Sequence, residues 1–291
     1  CPIWTSSRCF YASGRMCGSA PSGSPGHGPE MQQVFDRLWR LIATGLSFSA
    51  FGIGGLALGA TIFPVIHLAS SDRRAAEGRC RYLVHLAFRF FIWMMNGLGV
   101  LHYEITGAAR LRDPSARVVI ANHPTLIDVV FIVSMIPRAL CVVKRAAWSN
   151  PFMAGIMTAT GYIPNDDPFQ MIDDCVLALD RGECIVIFPE GTRTVPGRPL
   201  KFKRGAASVI VKSRSNVIPI IIRCEPTTLT KGNKWYNIPH RKPHFQVMVG
   251  DQFDPAARPC AGEGRDLFLR HGGCPRPRRG DHPRPGGNRR Q

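Results

Sequence analysis

The sequence predicts an α/β domain, with a mixed central sheet flanked by helices, behind an N-terminal region of membrane-associated helices. Three observations carry this expectation. Residues 41–69 form a 29-residue run without Asp, Glu, Lys or Arg. Beyond Leu101, short β-branched runs alternate with amphipathic stretches, the pattern of a largely buried sheet with helices between its strands. Two polar turns, Asn122–Asp128 and Phe188–Arg193, each follow directly on an apolar run that reads as a strand.

The charge-free run exceeds the roughly 20 residues needed to cross a bilayer core. Gly55 and Gly59 make a small-xxx-small step within it, suited to close helix packing. A buried helical hairpin in a soluble protein is the competing reading, because Pro64 and the glycines weaken a single long helix. Arg73, Arg74, Arg79 and Arg81 follow the run and outnumber Arg37 and Arg40 before it. The positive-inside rule then puts the catalytic part on the cytoplasmic face of the inner membrane. Tyr82–Leu101 is apolar and aromatic but interrupted by Arg89, which suits an interfacial helix better than a second span.

The 291 residues carry a formal net charge of +17, which favours polyanionic partners without choosing among nucleic acid, anionic lipid and phosphorylated substrates. Part of that charge sits in residues 270–291, where seven arginines face one aspartate. This Pro/Gly/Arg-rich tail is expected to be disordered. An RNA-binding role for it is weighed against that of a solvated tail, and the latter is favoured. Residues 1–30 show no periodicity and are expected to be a disordered or non-native extension, with Met31 as the natural start. Intact-mass analysis of protein made from the native gene tests this, and a mass that includes residues 1–30 refutes it. The expected organisation is therefore 1–30 extension, 31–101 membrane-associated helices, 102–269 catalytic domain and 270–291 tail. The ten cysteines are scattered without a C-x-x-C pair, which suggests reduced thiols rather than disulfides or a zinc site, and no metal is expected.

Strands are expected near His102–Thr106, Arg117–Ala121, Leu140–Val143, Cys184–Phe188, Val217–Ile222 and Phe245–Val249. Helices are expected near Pro124–Met135, Pro151–Thr160, Pro168–Leu179 and Gly205–Lys212, the first with Pro124 at its first position. His123 then stands at the mouth of the sheet. Within one regular helix, residues five apart lie about 140° apart around the axis. Asp128 can therefore meet His123 only if the histidine precedes the helix. A carboxylate on one imidazole nitrogen leaves the other free to take a hydroxyl proton, the arrangement of a general base. In the second turn, Gly191 allows close backbone approach to a ligand, and Arg193 offers a planar fork for phosphate oxygens. No G-x-S-x-G elbow is present to support a serine nucleophile.

Together the two segments resemble the PlsC-type lysophosphatidic acid acyltransferase family, whose signature N-H-x-x-x-x-D followed by F-P-E-G-T-R is intact as Asn122–Asp128 and Phe188–Arg193. The resemblance covers about residues 103–250. It implies a glycerolipid acyltransferase-like domain in which His123 is the catalytic base, oriented by Asp128. It further implies an acceptor site lined by Asn122, Glu190, Gly191, Thr192 and Arg193, with Arg193 on the phosphate and Lys144 as a second phosphate contact. Phe202–Ala206 looks like the family's F-K-x-G-A segment, where Lys203 and Arg204 are either substrate contacts or solvated charges. The implied reaction needs no cofactor. Acyl-CoA or acyl-ACP is the donor, a lysophospholipid the acceptor and anionic membrane lipids the surroundings, with no nucleic acid. One segment departs from the family: Gly161–Asp166 lacks the arginine of its usual G-x-x-F-I-D-R-like counterpart. That leaves open an acceptor other than lysophosphatidic acid, such as a lyso-amino-lipid or glycolipid.

Overall fold

A computed structural model describes residues 28–112, 117–195, 199 and 201–257, with residues 28–30 described at the level of backbone. The readings made for residues 1–27 and 258–291 lie outside these residues. From the N-terminus the elements are α1 (Gly28–Ala57), a π-helical stretch (Leu58–Ile62), α2 (Phe63–Leu68), α3 (Arg73–Gly97), β1 (His102–Thr106), β2 (Arg117–Ala121), α4 (Asp128–Met135) and β3 (Leu140–Val143). They continue with α5 (Pro151–Thr160), β4 (Ile163–Pro164), α6 (Pro168–Asp180), β5 (Cys184–Ile187), α7 (Arg204–Ser213), β6 (Asn216–Glu225) and β7 (His244–Val249).

The strands form one seven-stranded sheet in the order β1-β7-β6-β2-β5-β3-β4. Every neighbouring pair is parallel except β6 and β7, so the sheet is mixed as the sequence predicts. Val118, Val119, Ile185, Val186, Val217 and Ile218 are fully buried. Helices cover both faces of the sheet, and its strands therefore read as continuous apolar runs rather than alternating ones. Phe131 of α4 packs against Tyr103 of β1 and Phe245 of β7, with ring centroids 5.7 and 5.0 Å apart. This fixes α4 against the sheet. The carboxyl ends of β2, β3, β4, β5 and β6 share one rim, and the two signature turns emerge there. The two-residue strand β4 escapes sequence reading because it is too short to show a period.

Local caps set the flanking helices. Asn150 accepts from the Phe152 N–H with Pro151 in the first turn of α5, and Asp167 does the same for Phe169 and Gln170 at the start of α6. A correction to the sequence reading concerns α4, which begins at Asp128 and not at Pro124. The Thr125 N–H is drawn to the Asp128 carboxylate and the Leu126 N–H to the Leu229 carbonyl. These bonds hold residues 124–127 in a turn outside the helix.

In the N-terminal region the structure sets aside the competing hairpin reading. Pro64 and the glycines do not break the apolar run: residues 31–68 form a single helical stretch. The π-helical turn just ahead of Pro64 absorbs the carbonyl that the proline can neither bond nor avoid. The stretch is also clasped by the rest of the molecule along its length. Trp39 Nε1 donates to the Leu98 carbonyl, the Phe51 ring lies 5.0 Å from that of Phe91, and His67 Nε2 lies 3.0 Å from the Ala159 carbonyl. A Cβ added at Gly59 would stand 3.1 Å from the Gly155 Cα of α5. The small residues at positions 55 and 59 thus serve packing against α5 rather than against a second membrane helix. The interfacial segment expected at Tyr82–Leu101 is part of α3, which starts earlier, at Arg73, under an Asp72 cap.

Candidate active site

The site forms where β2 and β5 end side by side. Asn122 closes β2: its side-chain amide donates to the Ile222 carbonyl at 2.8 Å and accepts from the Ile222 N–H at 2.7 Å. It thereby stands in for one more ladder residue opposite β6. His123 follows, and its backbone is held at both polar atoms by the second turn. The His123 N–H donates to Glu190 Oε1 at 3.0 Å, while its carbonyl accepts from the Thr194 N–H at 2.7 Å. Glu190 is itself buried, and Thr194 Oγ1 donates to both of its carboxylate oxygens.

The imidazole is held as firmly as the backbone. His123 Nδ1 lies 2.9 Å from Asp128 Oδ2, and the ring stacks on Phe188 at a centroid distance of 4.3 Å. The His123 side chain is 19% exposed and Asp128 is 0% exposed. Asp128 also accepts from the Thr125 N–H at 2.6 Å and from the Thr125 hydroxyl at 2.5 Å. Burial pushes the Asp128 carboxyl above the usual carboxylate range, and the bonds from His123 and Thr125 pull against that shift. With Nδ1 bound to the carboxylate, His123 Nε2 has no protein partner among the described residues and is the ring atom available for proton transfer.

Arg193 is anchored by one side of its guanidinium: Nη1 donates to the Leu229 and Thr230 carbonyls at 3.1 and 3.2 Å. Nε and Nη2 have no partner among the described residues and can donate to an anion. Leu229 adopts φ 52°, a left-handed conformation that costs a branched residue roughly 1 kcal/mol or more. Its carbonyl is the common acceptor for Arg193 and the Leu126 N–H, which accounts for the retained strain. Gly191, at φ 63°, closes a turn in which its N–H donates to the Phe188 carbonyl. The aliphatic part of Lys203 crosses it, 2.9 Å from where a Cβ would sit. Thr192 is half-buried beside it, and Lys144 is exposed at the carboxyl end of β3.

Sequence reading therefore brings His123, Asp128, Glu190, Gly191, Thr192 and Arg193 to one place, but the polar groups of Asn122 and Glu190 are spent on the scaffold. It misses Thr125, Thr194 and Phe188 as supports of the histidine, and Leu229 and Thr230 as supports of the arginine. The first three lie within or beside the two motifs; the last two are brought in by the loop after β6, which carries no local signal. Burial raises the thiols of Cys141, Cys175 and Cys224 to about 12, so they are un-ionised near neutrality and poor nucleophiles. Among the described residues no group of three or more His, Cys, Asp or Glu side chains is placed to hold a metal ion.

A histidine backed by a buried carboxylate thus stands at the strand ends of a mixed sheet, beside an arginine anchored at one nitrogen. Residues 102–223 match the family model described as Acyltransferase. A 1-acyl-sn-glycerol-3-phosphate acyltransferase of Helicobacter pylori is 30% identical over 117 residues, covering 38% of this chain and 49% of that protein. One of Pseudomonas aeruginosa is 27% identical over 184 residues, covering 60% of this chain and 66% of that protein. The chain thus spans between about half and two thirds of the length of these relatives. The crystal structure of the 1-acyl-sn-glycerophosphate acyltransferase PlsC from Thermotoga maritima shares the fold, with a TM-score of 0.59 at 15% identity over 79% of this chain and 91% of that one. Through residues 102–223, which match the Acyltransferase family model, the chain is similar to the 1-acyl-sn-glycerol-3-phosphate acyltransferases.

Proposed function

We propose that the protein transfers a fatty acyl group from an acyl-CoA or acyl-ACP thioester to the free hydroxyl of 1-acyl-sn-glycerol 3-phosphate, giving phosphatidic acid. Support comes above all from the His123 ring, bound to buried Asp128 at Nδ1 and open at Nε2. In the proposed step, Nε2 takes the proton of the acceptor hydroxyl as its oxygen attacks the thioester carbonyl. The tetrahedral intermediate collapses with cleavage of the C–S bond, and the thiolate leaves with the proton returned by His123. The products are an ester and a free thiol, with no acyl-enzyme. Asp128 keeps the imidazole in the orientation and tautomer that this step requires. Arg193, held at Nη1, presents its remaining donors to the acceptor phosphate, with Lys144 as a second cation. Asn122 and Glu190 act as positioning residues, since their hydrogen bonds fix the backbone on either side of the reacting ring.

In this reading the reaction takes place at a membrane surface. The helical stretch 31–68 is long and apolar enough to cross a bilayer, and only 6% of its most apolar window is buried. The same stretch is clasped by the domain from Trp39 to His67, about 42 Å of helix at 1.5 Å per residue. That geometry suits a helix lying against the bilayer with the domain beside it rather than one standing clear of the domain as a free span. In a second reading, the absence of an arginine in Gly161–Asp166 favours another lyso-lipid acceptor. Purified protein offered both donors and a panel of lyso-lipids tests the two together. Fastest transfer to lysophosphatidic acid supports the first reading, preference for an uncharged or amino-lipid acceptor supports the second, and transfer to none of them rejects both.

A further inference from the structure

The loop between β6 and β7, residues 226–243, holds Lys231, Lys234, Arg241 and Lys242 without a single Asp or Glu. All four cations are exposed, as are Trp235 and Tyr236 between them. Lys234 Nζ lies 5.4 Å from the Tyr236 ring centroid, and the Trp235 ring rests against Gly45 of α1. The basic and aromatic residues therefore adjoin the outward apolar face of α1, where Leu38, Ile42 and Leu46 are exposed. Cations and amphipathic rings beside an apolar helix face match the layered chemistry of an anionic lipid surface.

Both ends of this loop are tied inward. Arg40 of α1, 1% exposed, donates from Nη1 to the Pro239 carbonyl and from Nη2 to the His240 carbonyl. At the other end, the Leu229 and Thr230 carbonyls hold Arg193. We infer that the 226–243 loop docks on an anionic bilayer surface and that this docking steadies Arg193 for a phosphorylated acceptor. The docking stands on the loop and the α1 face beside it; its effect on the acceptor rests on the acyltransferase reading above.

The test uses the full-length protein and its Lys231→Ala/Lys234→Ala double variant, sedimented with phosphatidylcholine vesicles with or without phosphatidylglycerol. Each cation near an anionic surface contributes about fivefold in binding. The double variant is therefore expected to bind anionic vesicles roughly 25-fold more weakly and neutral vesicles as well as wild type does. In turnover assays, anionic lipid is expected to lower the wild-type KM for lysophosphatidic acid, with that dependence lost in the variant and kcat unchanged. Equal weakening on both vesicle types, or none on either, overturns the docking. So does binding of single-stranded RNA that the variant loses while its vesicle binding is intact. A KM dependence that survives in a variant with weakened anionic binding overturns the link to Arg193. Wild type that sediments with anionic vesicles yet transfers no acyl group to any acceptor overturns the acyltransferase reading and leaves the docking in place.

Discussion

The corner around His123 and the helix stretch 31–68 treat polarity in opposite ways. At the corner, polar groups are drawn inward and matched: Asp128 is 0% exposed and accepts three hydrogen bonds, while both backbone polar atoms of His123 are engaged. Along α1 the large apolar side chains turn outward, among them Phe35, Leu38, Ile42, Leu46 and Ile53. Yet Arg40, a strongly buried charge of that helix, is bonded through each of its three nitrogens, to Asp36 and two loop carbonyls. The contrast separates two solvents. The corner is built to bury a carboxylate against the histidine it orients, whereas the outer face of the helix is suited to lipid, since apolar area left in water forgoes about 25 cal/mol per Å².

The comparison is sharpened most by Asp128→Asn, which preserves shape but lets the wrong nitrogen of His123 carry the proton. The expected loss in acyl-transfer kcat is on the order of 10³ to 10⁴, by the logic of carboxylate-oriented histidines. A loss below tenfold would show that the buried carboxylate does not govern the ring.

Packing should respond next. Phe131→Ala, inside the core cluster that seats α4, is expected to cost about 3–5 kcal/mol of folding stability. Leu46→Ser, on the outward face of α1, is expected to stay within about 0.5 kcal/mol in detergent while weakening vesicle binding. Thermal unfolding of both variants checks the pair; similar losses would mean that α1 is packed as core.

Much of this was legible in the sequence, and the reasons are physical. Strands covered on both faces leave unbroken β-branched runs, so β1, β2 and β3 begin and end where the sequence places them. The two motifs sit at strand ends because the same runs stop there. Helix α4 was misjudged because Thr125 and Leu126 commit their N–H groups to a side chain and to a distant carbonyl, neither visible as a propensity. The Leu229 and Thr230 supports of Arg193 lie 36 and 37 residues away from it and meet it only through sheet topology. The competing hairpin reading gave Pro64 too much weight, because a π-turn accommodates the ring without ending the helix.

A smaller effect is expected at the phosphate. Arg193→Lys keeps the charge but loses the fork that lets Nη1 stay on the loop carbonyls while the other nitrogens face an anion. The KM for lysophosphatidic acid should rise about tenfold with kcat little changed, as for loss of one charge-assisted bond of roughly 1.5–3 kcal/mol. Steady-state kinetics with saturating donor checks it, and a fall in kcat alone would place Arg193 in the chemical step instead.

The smallest expected effect is a shift in pH dependence. Activity needs Asp128 ionised, and its pKa is already raised, so activity is lost with falling pH above the usual carboxylate range. Thr125→Val removes the hydroxyl that favours the charged form and should move this acid limb further up. Stability carries the opposite sign. With a folded pKa above the unfolded one, the group's contribution to the fold falls as pH rises through that window, since the folded chain holds the proton longer. An acid limb left in place by Thr125→Val would show that Asp128 is not the group titrating.

The most direct test of the central claim is acyl transfer to lysophosphatidic acid by detergent-solubilised protein, from matched acyl-CoA and acyl carrier protein donors, beside His123→Ala folded to the same extent. The account predicts product from at least one donor with wild type and a fall of about 10³-fold or more in the variant. Transfer by His123→Ala at the wild-type rate would contradict it, because the proton would then be leaving the acceptor hydroxyl without the ring that the whole corner is built to hold.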